Sequence, residues 1–259
     1  MNIKTHEKAL KENVFFTKTK WPHFNLLFKD INFISKKIKK NSTVLNLERT
    51  NLYDNISLFA PYFNKCKYIS IDCTNERLKK RGSYNKKYLQ NKKILKSISN
   101  YTFDYKNITL KKNIADFILI PNLMHHVENV DILLKNSTKL LKKNGEIYIF
   151  EPLLRELHQI PEDYGRFTPF VLKAKLEKLG YTNIKYKFIG GPFTSIAYFW
   201  DQAIQYFPAK KRLKYKKWYT KEFSKLLNYD ELFKKNKIRK NTICPVAFSL
   251  FATKKNQKQ

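Results

Sequence analysis

Two short apolar runs bracket a helical stripe, and no other feature of this chain restricts its fold as strongly. Phe117, Ile118, Leu119 and Ile120 form the core of one run, and Ile147, Tyr148, Ile149 and Phe150 the core of the other. Between them Leu133, Ser137, Leu140 and Leu141 recur at helical spacing. A buried strand, a helix and a second buried strand make one crossover unit, and a crossover leaves its two strands parallel. Gly145 is expected to end the helix as the left-handed residue beyond its cap.

The same alternation extends in both directions. Residues 1–21 read as a polar arm. A helix is expected over 22–40, with Phe24, Leu27, Phe28, Ile31, Ile34 and Ile38 on one face and a break at Asn41 and Ser42. Residues 43–47 read as a first strand, Ile56, Phe59 and Phe63 as marking a helix, and residues 67–72 as a second strand that ends on Asp72. A lysine-rich helix over 74–90 and a weak third strand at 93–98 follow. Beyond the central unit, a helix over 168–180 stops at Gly180, and strands are expected at 185–189 and 246–253. A helical insertion rich in aromatic residues lies between them at about 194–240, and residues 254–259 form a tail. The expectation is one α/β domain over 22–253: a doubly wound, seven-stranded, mostly parallel sheet with helices on both faces. Ligands then belong at the carboxyl ends of the strands.

Charge points to anionic partners but is spread too evenly to name one. The formal net charge is +31, from 52 Lys and Arg against 21 Asp and Glu. Nucleic acid, anionic lipid or an acidic substrate would feel such a field. Lysine runs the length of the chain alongside frequent Asn and Ile, a pattern of compositional bias that outweighs dedicated nucleic-acid binding. One denser stretch, 210–217, reads as a solvated helix face. The three cysteines, Cys66, Cys73 and Cys244, have no metal-binding or paired spacing, so neither a metal site nor a disulfide framework is expected. The first 20 residues lack an apolar segment, and no apolar run reaches the length of a membrane span; the expected location is the cytoplasm.

Four stretches, in order and at matching spacing, resemble the methyltransferase type 11 group of class I S-adenosylmethionine-dependent methyltransferases, whose fold is Rossmann-like. They are Asp72 closing the second strand; Asp116 through Val127, an acid and an apolar run that close on His125, His126 and Val127; Leu140 through Pro152, similar to the group's turn into its fifth strand; and Glu156 through Pro169. The last looks like an H-x-x-P-x-D-Y-x-R-[FY]-T segment of a bacterial subgroup, carried here by His158, Pro161, Asp163, Tyr164, Arg166, Phe167 and Thr168. Members of that subgroup often sit among surface-polysaccharide and lipopolysaccharide biosynthesis enzymes. The resemblance covers about residues 22–253 and implies methyl transfer from S-adenosylmethionine to a small-molecule or glycan acceptor, at oxygen.

The resemblance also distributes roles. Asp72 would accept the two ribose hydroxyls. Asp104, twelve positions before Asp116, would contact the adenine amino group, although Ile108 and Thr109 replace the usual Leu-Pro pair beside it. Asn122, which follows the fourth strand, would complete the cofactor contacts. The departure is in the first motif, where Asn46 stands for the acid and Glu48, Thr50 and Leu52 for the glycines that let backbone approach the ligand. Either the loop takes another route, with Arg49 on the methionine carboxylate and Glu48 facing the sulfonium, or the cofactor site is closed.

On the acceptor side His125, His126 and His158 suit removal of a hydroxyl proton. Glu151, Asp163 and Arg166 would hold the acceptor, against a plain alternative in which Asp163 and Arg166 merely pair with each other. A catalytically inactive methyltransferase-like binding or regulatory domain and an RNA-binding or RNA-modifying protein are the rival readings.

Overall fold

The computed structural model describes residues 22–48, 59–73, 101–226, 228–230 and 244–255. The polar arm, the helix expected over 74–90, the strand expected at 93–98 and most of the first-motif loop, Arg49, Thr50 and Leu52 included, lie outside the described residues.

Seven strands form one sheet: β1 Thr43–Glu48, β2 Lys67–Asp72, β3 Tyr101–Thr102, β4 Ala115–Pro121, β5 Leu141–Pro152, β6 Tyr181–Ile189 and β7 Ala247–Lys254. Their spatial order is β3-β2-β1-β4-β5-β7-β6. The first five run parallel, and β7 is antiparallel to both β5 and β6. The doubly wound, mostly parallel sheet of seven strands is therefore observed. All six residues of β1 are buried, as befits a parallel strand covered on both faces.

Two apolar layers hold the helices to the sheet. On one face Leu45, Leu47, Ile69, Ile71, Ile118, Ile120, Ile147 and Ile149 meet α2 (Val130–Leu140) and α3 (Pro169–Lys178), through Leu133, Leu134, Leu172 and Leu176. On the other Val44, Phe117, Leu119, Tyr148 and Phe150 meet α1 (Pro22–Lys37), through Leu27, Phe28, Ile31 and Ile34. The period-2 alternation of each strand sends neighbouring residues to opposite layers. The second layer also receives Tyr62 and Phe63 from a 3-10 turn at Ala60–Phe63, which among the described residues stands where Ile56, Phe59 and Phe63 suggest a helix.

The insertion contributes α4 (Pro192–Ala203) and α5 (Ala209–Leu226). Tyr198 of α4 is fully buried in the second layer, and Trp200 packs edge-on against Tyr215 and Trp218 of α5. Asp230 ties the start of α4 by accepting from the backbone N–H groups of Phe193 and Thr194, both at 2.9 Å. Most of the basic stretch 210–217 is exposed on α5. Among the described residues no helix is long and apolar enough to cross a membrane.

Helix ends follow local chemistry, with one correction. Gly180 takes φ +84° and donates to the Glu177 carbonyl, the expected left-handed stop of α3. Gly145 does not end α2: that helix stops at Leu140, Leu141 is already extended and pairs with Ala115, and the left-handed residue is Asn144, at φ 58°. A Cβ on Gly145 would meet the Leu141 side chain at 2.8 Å, so this glycine is required for space rather than for a positive φ. At the other end of α2 the Asn129 side chain accepts from the Ile132 amide at 3.2 Å. Asn129→Ala is expected to lower stability by about 1 kcal/mol, read from the denaturant midpoint, as for an ordinary lost N-cap.

Candidate functional site

The winding of the sheet reverses at β1, which has β2 on one side and β4 on the other. A crevice opens above the carboxyl ends of strands at such a reversal. Two groups of polar side chains stand along that edge, one on each side of β1.

The first group is acidic. Glu48 and Asp72 close β1 and β2 as register partners, and both are buried. Register partners in a parallel pair share a face, so Asn46, Glu48, Ser70 and Asp72 make a polar row at the end of an otherwise apolar layer. The Ser70 hydroxyl donates to Glu48 Oε1 at 2.6 Å, which turns the Glu48 carboxylate toward β2. Glu48 is extended strand, so the place of the first motif's leading glycine demands no left-handed backbone here. Asp104 lies in the exposed turn after β3, where its carboxylate accepts from the Lys106 amide at 2.9 Å. Burial first, and then the fields of Asp72, Glu48 and Asp104, push the Cys73 thiol well up.

The second group is built on β4, β5 and the segment after each. Asn122 leaves β4 at φ 52°, donates its amide to the Phe150 carbonyl at 2.8 Å, and holds a buried carboxamide oxygen with no hydrogen-bond partner among the described residues. A 3-10 turn, Met124–His126, follows. Glu151 near the end of β5 organises that turn. Its Oε1 accepts from the Leu123 and Met124 amides at 2.8 and 2.7 Å, and its Oε2 meets His125 Nδ1 at 2.6 Å. Burial raises the Glu151 carboxyl to about 8, against the backbone N–H groups that favour its charge. Burial, with the positive charges of Arg155, His158 and Arg166, lowers His125 well below its ordinary value. The pair has ion-pair spacing, but both members are driven toward neutrality, and a hydrogen bond between neutral groups describes it better than a salt bridge does.

His158 comes from the segment after β5 and is held by Asp163. One oxygen of Asp163 accepts from the His158 amide at 2.9 Å and meets its Nδ1 at 3.0 Å, while the Glu156 carbonyl lies 3.1 Å from the same nitrogen. Burial and Arg155 bring the His158 ring down to about 4. The Arg166 guanidinium grips both Asp163 oxygens and also donates to the carbonyls of Arg155, Glu156 and Gly165. The segment is pinned to the turn by the Tyr164 amide donating to the His125 carbonyl at 2.8 Å, and by His126 Nδ1 at 2.6 Å from the Glu162 carbonyl. Three rings thus meet: centroids lie 4.0 Å apart for His125 and His126, 4.8 Å for His126 and His158, and 5.2 Å for His125 and His158.

Of the residues singled out in the sequence, Asn46, Glu48, Asp72 and Asp104 thus fall on the β1–β3 side, and Asn122, His125, His126, Glu151, His158, Asp163 and Arg166 on the β4–β5 side. Arg49 lies outside the described residues. Asp163 and Arg166 form the local pair that their spacing suggests. Two partners escaped the sequence: Glu162, whose carbonyl orients His126, and Glu156, whose carbonyl serves both His158 and Arg166. Backbone acceptors leave no trace in residue type.

A family described as a methyltransferase domain matches residues 55–149, a stretch that begins after the divergent first-motif residues 46–52. No curated protein matches the chain in sequence. Among solved structures, the chain is similar to an S-adenosylmethionine-dependent methyltransferase from Archaeoglobus fulgidus, at 15% identity and TM-score 0.52 over 89% of this chain and 94% of that one. It is similar to a phosphoethanolamine N-methyltransferase 2 from Haemonchus contortus, solved with S-adenosyl-L-methionine, at 14% identity and TM-score 0.51 over 96% of this chain and 59% of that one. It is also similar to the [4+2]-cyclase SpnF, at 9% identity and TM-score 0.53 over 88% and 80%. At these identities the likeness is one of fold. Residues 55–149 thus match a methyltransferase domain, within a chain whose fold is that of solved S-adenosylmethionine-dependent methyltransferases.

Proposed function

We propose that this chain methylates an oxygen of a small-molecule or glycan acceptor, with the cofactor on the β1–β3 side of the crevice and the acceptor on the β4–β5 side. The observation that supports this division most directly is the histidine cluster placed across β1 from the acidic edge.

The residues at the acidic edge fit the donor. Asp72 ends β2 where its carboxylate would accept the ribose hydroxyls, and Asp104 beyond β3 would take the adenine amino group. Glu48 would add negative charge beside a cationic sulfonium, and the buried, unpartnered oxygen of Asn122 would accept an N–H from the amino-acid end. When bound, the cofactor supplies a methyl group whose leaving group is a neutral thioether, so the protein need not protonate it.

What remains for the chain is positioning and one proton. Asp163 and the Glu156 carbonyl can only accept at His158 Nδ1, and the Glu162 carbonyl can only accept at His126 Nδ1, so each of these nitrogens carries hydrogen. In that tautomer Nε2 has the lone pair that can draw a hydroxyl proton. Glu151, Asp163 and Arg166 have their polar atoms committed to this framework. In this reading they are positioning residues for His125 and His158 and do not hold the acceptor themselves.

Titrating the full chain with S-adenosylhomocysteine while following thermal unfolding tests the reading. A folded-state ligand at one hundred times its Kd should add about 2.7 kcal/mol of stability. An unchanged melting temperature at millimolar ligand would overturn it.

A further inference from the structure

The three histidines do more than the proposed proton transfer requires. One ring nitrogen from each of His125, His126 and His158 lies within 4.8 Å of the other two. Each ring is held at Nδ1 by an oxygen: the Glu151 carboxyl for His125, the Glu162 carbonyl for His126, and the Asp163 carboxylate with the Glu156 carbonyl for His158. A general base needs one such ring. Three rings, each oriented through its far nitrogen by an oxygen, is the outer arrangement of histidine metal ligands; Glu151 would take the acceptor role for His125 on giving up its proton. In addition, Nε2 of His125 and Nε2 of His158 are both buried with no hydrogen-bond partner among the described residues, as is Oε2 of Glu162 beside them. Leaving such atoms unpaired is costly, and a bound ion would satisfy the two nitrogens.

We propose that His125, His126 and His158 bind one divalent first-row transition metal ion, zinc in the first instance, through their Nε2 atoms. Three neutral imidazoles suit zinc, iron, nickel or copper rather than magnesium or calcium, which take oxygen ligands. Metal–nitrogen bonds of about 2.1 Å would set the three nitrogens roughly 3.3 Å apart. The two nearby cations do not stand alone against the ion, because Arg166 is paired with Asp163 and Arg155 lies beside Glu156. Three protein ligands leave a coordination position open, the pattern of a reactive rather than a purely structural site.

This rests on the acceptor side of the function proposed above and revises its proton step: with the Nε2 lone pairs on the ion, the histidines no longer take the proton, and a hydroxyl oxygen in the open position would bind the metal and release its proton to solvent. The new C–O bond would then form as the sulfonium C–S bond breaks. The metal site itself does not depend on methyl transfer, and its test uses neither cofactor nor acceptor.

The experiment is titration of the chelator-treated full chain with Co2+, followed by visible absorption, and with Zn2+ in competition. The expected result is one ion per chain. Affinity should fall by about 100-fold or more in His126→Ala and His158→Ala, and about 10- to 100-fold in Glu151→Gln, which removes only an outer partner. Cys66→Ser and Cys244→Ser should bind as the parent does. Circular dichroism checks that the variants are folded. Should the histidine variants unfold, 15N–1H correlation spectra of the parent chain decide, because zinc must shift the Nε2 signals of three rings. Absence of binding by the parent, equal binding by the histidine variants, or loss of binding in the cysteine variants would each overturn the proposal.

Discussion

Asp72→Ala is expected to weaken S-adenosylhomocysteine binding by roughly 100- to 1,000-fold, measured by calorimetric titration of the full chain. Asp72 is the last residue of β2, at the carboxyl edge, in register with Glu48 and 1% exposed. Two hydroxyls donating to one carboxylate are charge-assisted hydrogen bonds, and at the lower end of their range, about 1.5–2 kcal/mol each, loss of both amounts to about 3–4 kcal/mol. Asp72→Asn keeps acceptor capacity and should lose less. Glu48→Gln separates the roles of the two acids. If Glu48 faces the sulfonium, its neutralisation weakens the cationic donor more than the neutral demethylated product. If Glu48 served the ribose instead, both ligands would weaken alike. Unchanged affinity in Asp72→Ala would remove the ribose assignment, while the parent chain's binding would still stand.

Asp163→Ala is expected to destabilise the chain by about 3–5 kcal/mol, read from denaturant unfolding, and to abolish methyl transfer. The Asp163 side chain is 2% exposed and joins the Arg166 guanidinium to the His158 imidazole. Burial alone would raise its carboxyl. The Arg166 hydrogen bond, the His158 amide and the charges of both partners overcome that and hold it well below the carboxylate range. Alanine would leave Arg166 largely buried without its counter-charge and would release His158 Nδ1. Asp163→Asn keeps the shape and one acceptor, so it should retain more stability than alanine while still misorienting the histidine. If the segment holding Asp163 contributed nothing beyond local pairing, both variants would fall within about 1 kcal/mol of the parent, as exposed ion pairs do.

Most strands announced themselves because each is a short apolar run between polar turns. β4 was visible in full from Ala115 to Pro121, and β2 ended at Asp72 as its terminal carboxylate suggested. β6 began earlier than its apolar content indicated, at Tyr181, because most of its residues are exposed on an edge strand and carry no alternation. Gly145 misled for a related reason. A glycine after a helical stripe signals a left-handed cap, but the space occupied by the Leu141 side chain is invisible in one dimension.

The candidate site divides in the same way. Asp72, His125 and His126 could be found because the strand ends that carry them are local features. No metal site was expected, since only cysteine spacing was available as a guide and the third histidine arrives from another segment.

The order of apolar runs and helical stripes by itself determined a doubly wound parallel sheet and which residues stand at its carboxyl edge, because period and burial are properties of neighbouring positions. Only the tertiary structure decided that three histidines share one point, that Glu151 is an organiser of the turn above it, and that Arg166 is consumed by Asp163. Those facts depend on which oxygen meets which nitrogen between distant segments, and residue type does not encode that distance.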